Sequence, residues 1–267
     1  MAGGNYSNLT NLLGAGAGLR LITRDAQFSV DRMTELLYLA DCYLRSFRAF
    51  VVKAERGKAV LSATAFYPEG GGQPCDTGAL FCGEKRFPVL KVKREGGEVV
   101  HYCEGAGLNK GDAVRGEIDW ERRYTFMRYH TALHILAKLL YDEFGAVVTG
   151  NQIGVEKSRM DFDAARFERS ALPEIEAGAN EVIAQGREVR IYTLPREEAF
   201  SRVDPKKTRL DLIPKSIRDI RLVEIEGFDI DACGGTHVGN TREIGGINIT
   251  NFKSKGRRNK RIEVVLV

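Results

Sequence analysis

Apolar positions recur every three to four residues from Arg122 to Phe144, where Phe126, His130, Leu133, Ala137, Leu140 and Phe144 share one face and Gly145 ends the run. That spacing predicts an amphipathic helix whose two histidines, His130 and His134, face the interior or a cleft. A second helix is predicted from Pro173 to Gln185, stopped by Gly186. Upstream the period shortens. Phe47–Lys53 and Lys58–Thr64 read as strands flanking the turn Glu55-Arg56-Gly57, and further strands are predicted at Phe87–Lys93, Val99–Tyr102 and Ala113–Ile118. Short strands at regular spacing predict a small barrel over residues 33–120. Downstream, strands at Glu188–Thr193, Ile220–Glu226, Gly246–Thr250 and Arg261–Val267 accompany the two helices. The expected fold class is therefore α+β: a small N-terminal β-barrel, then an α/β sheet domain over residues 121–267 that carries the candidate metal ligands.

Residues 1–32 have a different texture, glycine- and asparagine-rich and weakly patterned. The apolar piece Leu12–Ile22 is broken by glycines and Arg20, and no basic region precedes it, which argues against a signal peptide. This stretch reads as an expression-derived leader or a disordered segment; a genuine N-terminal extension is the alternative.

With 43% apolar and 28% charged residues and a net charge of +4, the chain has an ordinary globular balance that is compatible with a nucleic-acid partner without requiring one. Five scattered cysteines (Cys42, Cys75, Cys82, Cys103 and Cys233), with no CxxC pair, exclude a disulfide framework and predict a reducing cytoplasm. No apolar run is long enough to span a bilayer, so a membrane is not an expected partner.

Chemistry enters with the histidines. Three of the four lie in two short phrases, His130-Thr-Ala-Leu-His134 and Cys233-Gly-Gly-Thr-His237. Together they offer three imidazoles and one thiol, a usual ligand set for one Zn2+ per chain. Thr131 stands where a zinc protease of the HExxH type needs its glutamate base, which argues against that class. Either phrase alone is weak; the pair is far more specific. Four protein ligands complete a tetrahedron, so a closed structural site and a catalytic one both remain open.

The phrase from Thr64 to Gly78, Thr-Ala-Phe-Tyr-Pro-Glu-Gly-Gly-Gly-Gln-Pro-Cys-Asp-Thr-Gly, is the other unusual passage. Gly70, Gly71 and Gly72 let a backbone approach a ligand closely, and Gln73 and Asp76 add hydrogen-bonding groups near it. The ending of a Walker loop is absent, and no nucleotide cofactor is expected.

Thr64-x-Phe-Tyr-Pro-Glu-Gly-Gly-Gly-Gln, His130-x-x-x-His134 and Cys233-Gly-Gly-Thr-His237, in this order, resemble the editing domain of alanyl-tRNA synthetases and its free-standing relatives, the AlaX trans-editing proteins. The resemblance runs from about Met33 to the C-terminus. An intact barrel ahead of the zinc domain, with no further C-terminal domain, is similar to the medium-length group. No class II aminoacylation core is visible, so the chain looks like the editor alone. The resemblance implies hydrolysis of the ester that joins serine, or glycine, to alanine tRNA. It implies zinc ligands at His130, His134, Cys233 and His237, Gln73 beside the pocket, Thr64 recognising the serine hydroxyl, and Gly71 and Gly72 at the substrate. Asp231 is read as a solvated loop charge without a catalytic role, and His101 as a surface or barrel residue.

An alanine pocket cannot exclude glycine and rejects serine weakly, since a small group is worth about 1–3 kcal/mol; a second hydrolytic site is the expected remedy. Mischarged alanine tRNA is thus the expected partner. Lys253, Lys255, Arg257, Arg258 and Lys260, in an expected loop before the last strand, are candidate phosphate contacts, with Lys206, Lys207 and Arg209 as a second group. The alternatives are a tRNA-binding module whose zinc is purely structural, and editing of another aminoacyl-tRNA.

Overall fold

The computed structural model describes residues 34–208 and 210–267; the leader read over 1–32, and Arg209, lie outside the described residues. The elements are β1 (Glu35–Leu36), β2 (Ser46–Glu55), β3 (Lys58–Leu61), β4 (Ala63–Thr64), β5 (Gly78–Cys82), β6 (Lys85–Glu95), β7 (Glu98–Cys103), β8 (Ala113–Ile118), α1 (Trp120–Phe144), β9 (Val147–Gln152) and β10 (Ser158–Asp163). They continue with α2 (Leu172–Gln185), β11 (Val189–Pro195), α3 (Arg196–Arg202), β12 (Asp219–Ile225), β13 (Asp229–Ala232), β14 (Ile247–Ser254) and β15 (Asn259–Leu266).

The expected barrel is present. Strands β2, β3, β7, β6, β5 and β8 close in that order, and closure leaves no unpaired edge. Along β2 every second residue, Phe47, Ala49 and Val51, is buried, the period of a strand with one face on a core. These side chains belong to one core with Leu61, Phe66, Leu80 and Val92, each fully buried large side chain contributing about 1.5–3 kcal/mol. The turn after β2 is a two-residue hairpin: Glu55 pairs with Lys58, and Arg56 and Gly57 take φ of 36° and 80°, the left-handed pair that strand twist favours. The predicted strand Lys58–Thr64 is broken at Ser62. Its first half stays in the barrel as β3, whereas β4 pairs in parallel with β1. Strand β5, which follows the glycine phrase directly, has no counterpart in the sequence-based reading.

The rest is a mixed α/β layer. Asp119 caps α1, its Oδ1 accepting from Arg122 N at 3.3 Å, and Gly145 ends the helix at φ 62°. The face carrying Phe126, Met127, Leu136 and Leu140 packs against Ile175 and Val182 of α2 and Ile262 and Val264 of β15 in a second core. Two antiparallel sheets, β14-β15-β10-β9 and β11-β12-β13, complete it. The basic segment expected as a loop is mostly a hairpin tip, with Lys253 opposite Arg261 and Ser254 opposite Lys260.

A buried ion pair ties the barrel to α1. Arg123 of α1 and Asp76 are both fully buried; Arg123 Nε lies 2.9 and 3.0 Å from the two Asp76 carboxylate oxygens. The guanidinium also donates to Cys42 O at 3.0 Å and to Ala65 O at 2.5 Å, and Tyr67 N donates to Asp76 Oδ2 at 2.6 Å. Asp76, expected near exposed backbone, is instead the anchor that fixes the glycine phrase two helical turns before His130.

Candidate metal centre

Helix α1 sets His130 and His134 one turn apart, on the same face. Strand β13 ends at Ala232 and delivers Cys233, and Gly234-Gly235 turn the chain so that His237 comes back to it. One ligand atom from each of these four residues lies within 4.8 Å of the others. Gly235 has to be glycine here: a Cβ would overlap the His130 ring and lie 3.1 Å from Gln73 Oε1. Cys233 Sγ is 3.6 Å from His130 Nε2 and 3.3 Å from His237 Nε2.

Electrostatics favour the metal-binding protonation states at Cys233 and His237, and the protonated form at His134. Burial alone would raise the Cys233 thiol, but His130 and His237 outweigh it and hold the group well below the ordinary thiol value. Burial, with His130, keeps His237 far below the usual imidazole range and so neutral. Burial pulls His134 down, and the bond and charge from Cys233, then Asp231 and Asp229, more than reverse it. A thiolate and a neutral imidazole are the forms that coordinate an ion.

Two of the three rings are oriented by outer partners. His130 Nδ1 donates to Gln73 Oε1 at 3.0 Å, which turns Nε2 to the cluster. Gln73 is itself pinned: Nε2 donates to Thr236 Oγ1 at 2.9 Å, and Oε1 accepts from Thr236 N at 3.1 Å. His237 Nδ1 donates to Thr131 Oγ1 at 3.2 Å; that hydroxyl donates to Met127 O at 3.0 Å and accepts from Val238 N at 3.2 Å. Three imidazoles and one thiolate, two of the tautomers set from outside, fit a metal ion, and these four residues could hold one.

The glycine phrase borders this cluster. Gln73 N donates to Gly70 O at 3.0 Å across a tight turn in which Gly71 and Gly72, both exposed, take φ of 58° and 82°. Gly72 O accepts from Ile153 N at 2.8 Å, and a Cβ on Gly72 would overlap the Asn151 amide, whose Oδ1 is buried without a partner among the described residues. Tyr67 donates to Gly70 O at 3.0 Å; burial pushes its phenol up, and the charge of Cys233 adds to that.

Thr64, in β4, is fully buried. Its Oγ1 lies 2.8 Å from His101 Nε2 and accepts from Phe66 N at 3.1 Å. His101 Nδ1 donates to Ala59 O at 3.1 Å, so Nε2 is the acceptor and Thr64 Oγ1 donates to it. His101 is thus a barrel residue, fully buried in β7, and burial pushes its pKa down to about 4.

The predicted cations are dispersed. Arg258 Nε pairs with Asp163 at 2.7 Å, Lys255 lies 3.8 Å from Asp161, and Lys260 is buried with Nζ donating to Ser254 Oγ and Gly256 O at 2.8 and 3.2 Å. Lys253 and Arg257 are exposed at the tip. Lys207 is buried, 2.7 Å from Asp229 and 3.0 Å from Asp231. Asp231 is therefore no solvated loop charge: it belongs to β13, and Thr208 Oγ1 donates to its Oδ1 at 2.6 Å. Thr131, Thr236, Asp229 and His101 are contributors that the sequence reading misses or sets aside; only the histidine phrases hint at Thr131 and Thr236, by adjacency.

Residues 220–263 match the family model described as the threonyl and alanyl tRNA synthetase second additional domain, which spans β12, Cys233 and His237. Residues 30–122 match the class II (A) tRNA synthetase model. An alanyl-tRNA editing protein AlaX-M of Methanosarcina acetivorans is 46% identical over 88% of this chain and 100% of its own length. That of Saccharolobus solfataricus is 46% identical over 86% of this chain and 98% of its own. The alanine–tRNA ligase of Ignicoccus hospitalis is 42% identical over 81% of this chain, a match to 24% of the ligase. Among the described residues no helix is long and apolar enough to cross a membrane.

Proposed function

Because the chain belongs to the family of alanyl-tRNA editing proteins, we propose that it hydrolyses the ester of mischarged alanine tRNA, Ser-tRNA(Ala) or Gly-tRNA(Ala), at a zinc ion held by His130, His134, Cys233 and His237, in the cytoplasm. It acts as an aminoacyl-tRNA deacylase. The observation that carries the site assignment is the junction of the two motifs, Gln73 of the glycine phrase hydrogen-bonded to His130 of the ligand set.

When bound, zinc supplies a Lewis acid that holds the amino acid's amine or polarises the ester carbonyl. The chain's own groups orient the substrate. One Nε2 proton of Gln73 is committed to Thr236, which leaves the second as a donor for a carbonyl oxygen. The exposed turn at Gly71 and Gly72 lets the ester approach the backbone closely. Thr64 donates its hydroxyl hydrogen to His101 and accepts from Phe66 N, so toward a substrate it offers its remaining oxygen lone pair, the complement of a serine hydroxyl and of nothing on alanine. A barrier lowered by positioning and fixed dipoles needs no strong base at the site. Lys253 and Arg257 are the cations best placed to meet tRNA phosphates.

Deacylation of Ser-tRNA(Ala), Gly-tRNA(Ala) and Ala-tRNA(Ala) by the wild type and by Cys233→Ala tests this reading. Serine released at the background rate sinks the enzyme. A folded, fully active Cys233→Ala removes the metal from the reaction and leaves it a structural ion.

A further inference from the structure

Of the three ligand histidines, two have an outer acceptor already described, Gln73 for His130 and Thr131 for His237. His134 has a different neighbourhood. Its ring nitrogen and one oxygen from each of Asp229 and Asp231 all lie within 4.8 Å of one another. Carboxylate oxygens are themselves good ligands for zinc. Two of them lie within the same 4.8 Å of His134 that bounds the metal cluster. What holds them is Lys207. Its Nζ lies 2.7 Å from both Asp229 oxygens and 3.0 Å from Asp231 Oδ2, with side-chain exposures of 7%, 5% and 22% for Lys207, Asp229 and Asp231. Asp231 Oδ1 is taken by Thr208 Oγ1 at 2.6 Å and Ala232 N at 2.9 Å. Burial opposes the ammonium's charge, but the two carboxylates keep it protonated.

We propose that Lys207 is a positioning residue for the metal centre: its ammonium stands as a built-in second cation that keeps Asp229 and Asp231 beside His134 and out of the coordination sphere. The inference rests on the zinc reading above. The charge count supports it. Two carboxylates and one ammonium leave one net negative charge next to His134. Without the ammonium, two unpaired carboxylates would face each other in a buried site, and the nearest relief is the metal ion. Lys207 is held in place by its own segment, with Lys207 N and Thr208 N both donating to Asp204 O at 3.1 and 2.8 Å. Its burial also removes it from the phosphate contacts that the sequence suggested for it.

Cobalt(II) in place of zinc makes the coordination number visible. The visible absorption of the cobalt-loaded wild type is expected to be the intense band set of a four-coordinate site with one thiolate. Lys207→Met should give the weaker spectrum of a five-coordinate ion as a carboxylate enters, and Lys207→Arg should retain the wild-type bands. Adding Asp229→Asn and Asp231→Asn to Lys207→Met should restore the four-coordinate spectrum. Should Lys207→Met not fold, Lys207→Gln carries the same expectation. A Lys207→Met or Lys207→Gln spectrum identical to the wild type overturns the proposal, as does a wild type that is already five-coordinate. Failure of the wild type to take up cobalt at all would instead overturn the metal reading on which the proposal stands.

Discussion

His130 Nδ1 and Gln73 Oε1 lie 3.0 Å apart, and this hydrogen bond joins the glycine phrase next to the barrel to the candidate ligand pair on α1. The proposed function gives Gln73 two separable duties, setting the His130 tautomer through Oε1 and offering an N–H toward the ester. Gln73→Ala removes both, and zinc affinity is expected to fall roughly 10–100-fold, as for other outer-shell partners. Gln73→Glu keeps an acceptor for His130 and should hold zinc near the wild-type affinity while deacylation still falls. Competition with a fluorescent chelator, run beside the deacylation assay, separates the two; equal zinc affinity in Gln73→Ala would refute the orienting role.

The turn at Gly71-Gly72 makes unequal demands on its two glycines. Both have positive φ, but only Gly72 has a neighbour, the Asn151 amide, where a Cβ would go. Gly72→Ala is expected to cost roughly 1–3 kcal/mol in strain, or to push β9 away from the loop, and Gly71→Ala less. Urea unfolding of the two variants checks the order.

Burial lowers His101 to about 4 from an ordinary imidazole value of 6.5, so the folded protein resists protonation that the unfolded chain accepts. Stability from this group is full above pH 6.5 and is lost as pH falls from 6.5 toward 4. The total is roughly 3 kcal/mol. Comparing unfolding free energies of the wild type and His101→Gln at pH 7.5 and pH 5 isolates it, because the other titrating groups are common to both. A wild type that loses no more stability than the variant on acidification would count against a neutral, buried His101.

Arg123→Met should be far more damaging than a surface arginine change. It strands the fully buried Asp76 carboxylate, and removing one partner of a buried pair costs roughly 3–5 kcal/mol. Arg123→Met with Asp76→Asn should recover part of that loss, measured by thermal unfolding at a fixed metal load.

At the β14–β15 tip the cations are not equivalent. Lys253→Ala with Arg257→Ala should weaken tRNA binding and flatten its salt dependence, by about one unit of slope for each phosphate that is no longer neutralised. Arg258→Ala breaks the pair with Asp163 instead, and is expected to change hairpin stability more than the salt slope. Filter binding across a salt series distinguishes them.

Much of this arrangement is legible in the sequence, for local reasons. Helix α1 announces its end through Gly145 and its buried face through helical spacing, and the candidate ligand residues sit in two compact phrases. Strands β9, β10 and β13 escape notice, because β13 is only four residues long and β9 carries a glycine and two amides. The outer partners are less legible still. Gln73 meets His130 across 57 residues and Thr131 meets His237 across 106, and no local pattern encodes which side chains a closed barrel and a folded-back loop bring together. The basic run misleads for the same reason: Asp161 and Asp163, which neutralise part of it, lie on β10, about a hundred residues away.

The most direct test of the metal-centred account is titration of metal-free protein with zinc while serine release from Ser-tRNA(Ala) is followed. The account predicts a rate that climbs linearly with zinc and stops at one equivalent per chain, with Ala-tRNA(Ala) left intact throughout. A metal-free protein that releases serine as fast as the loaded one would contradict it.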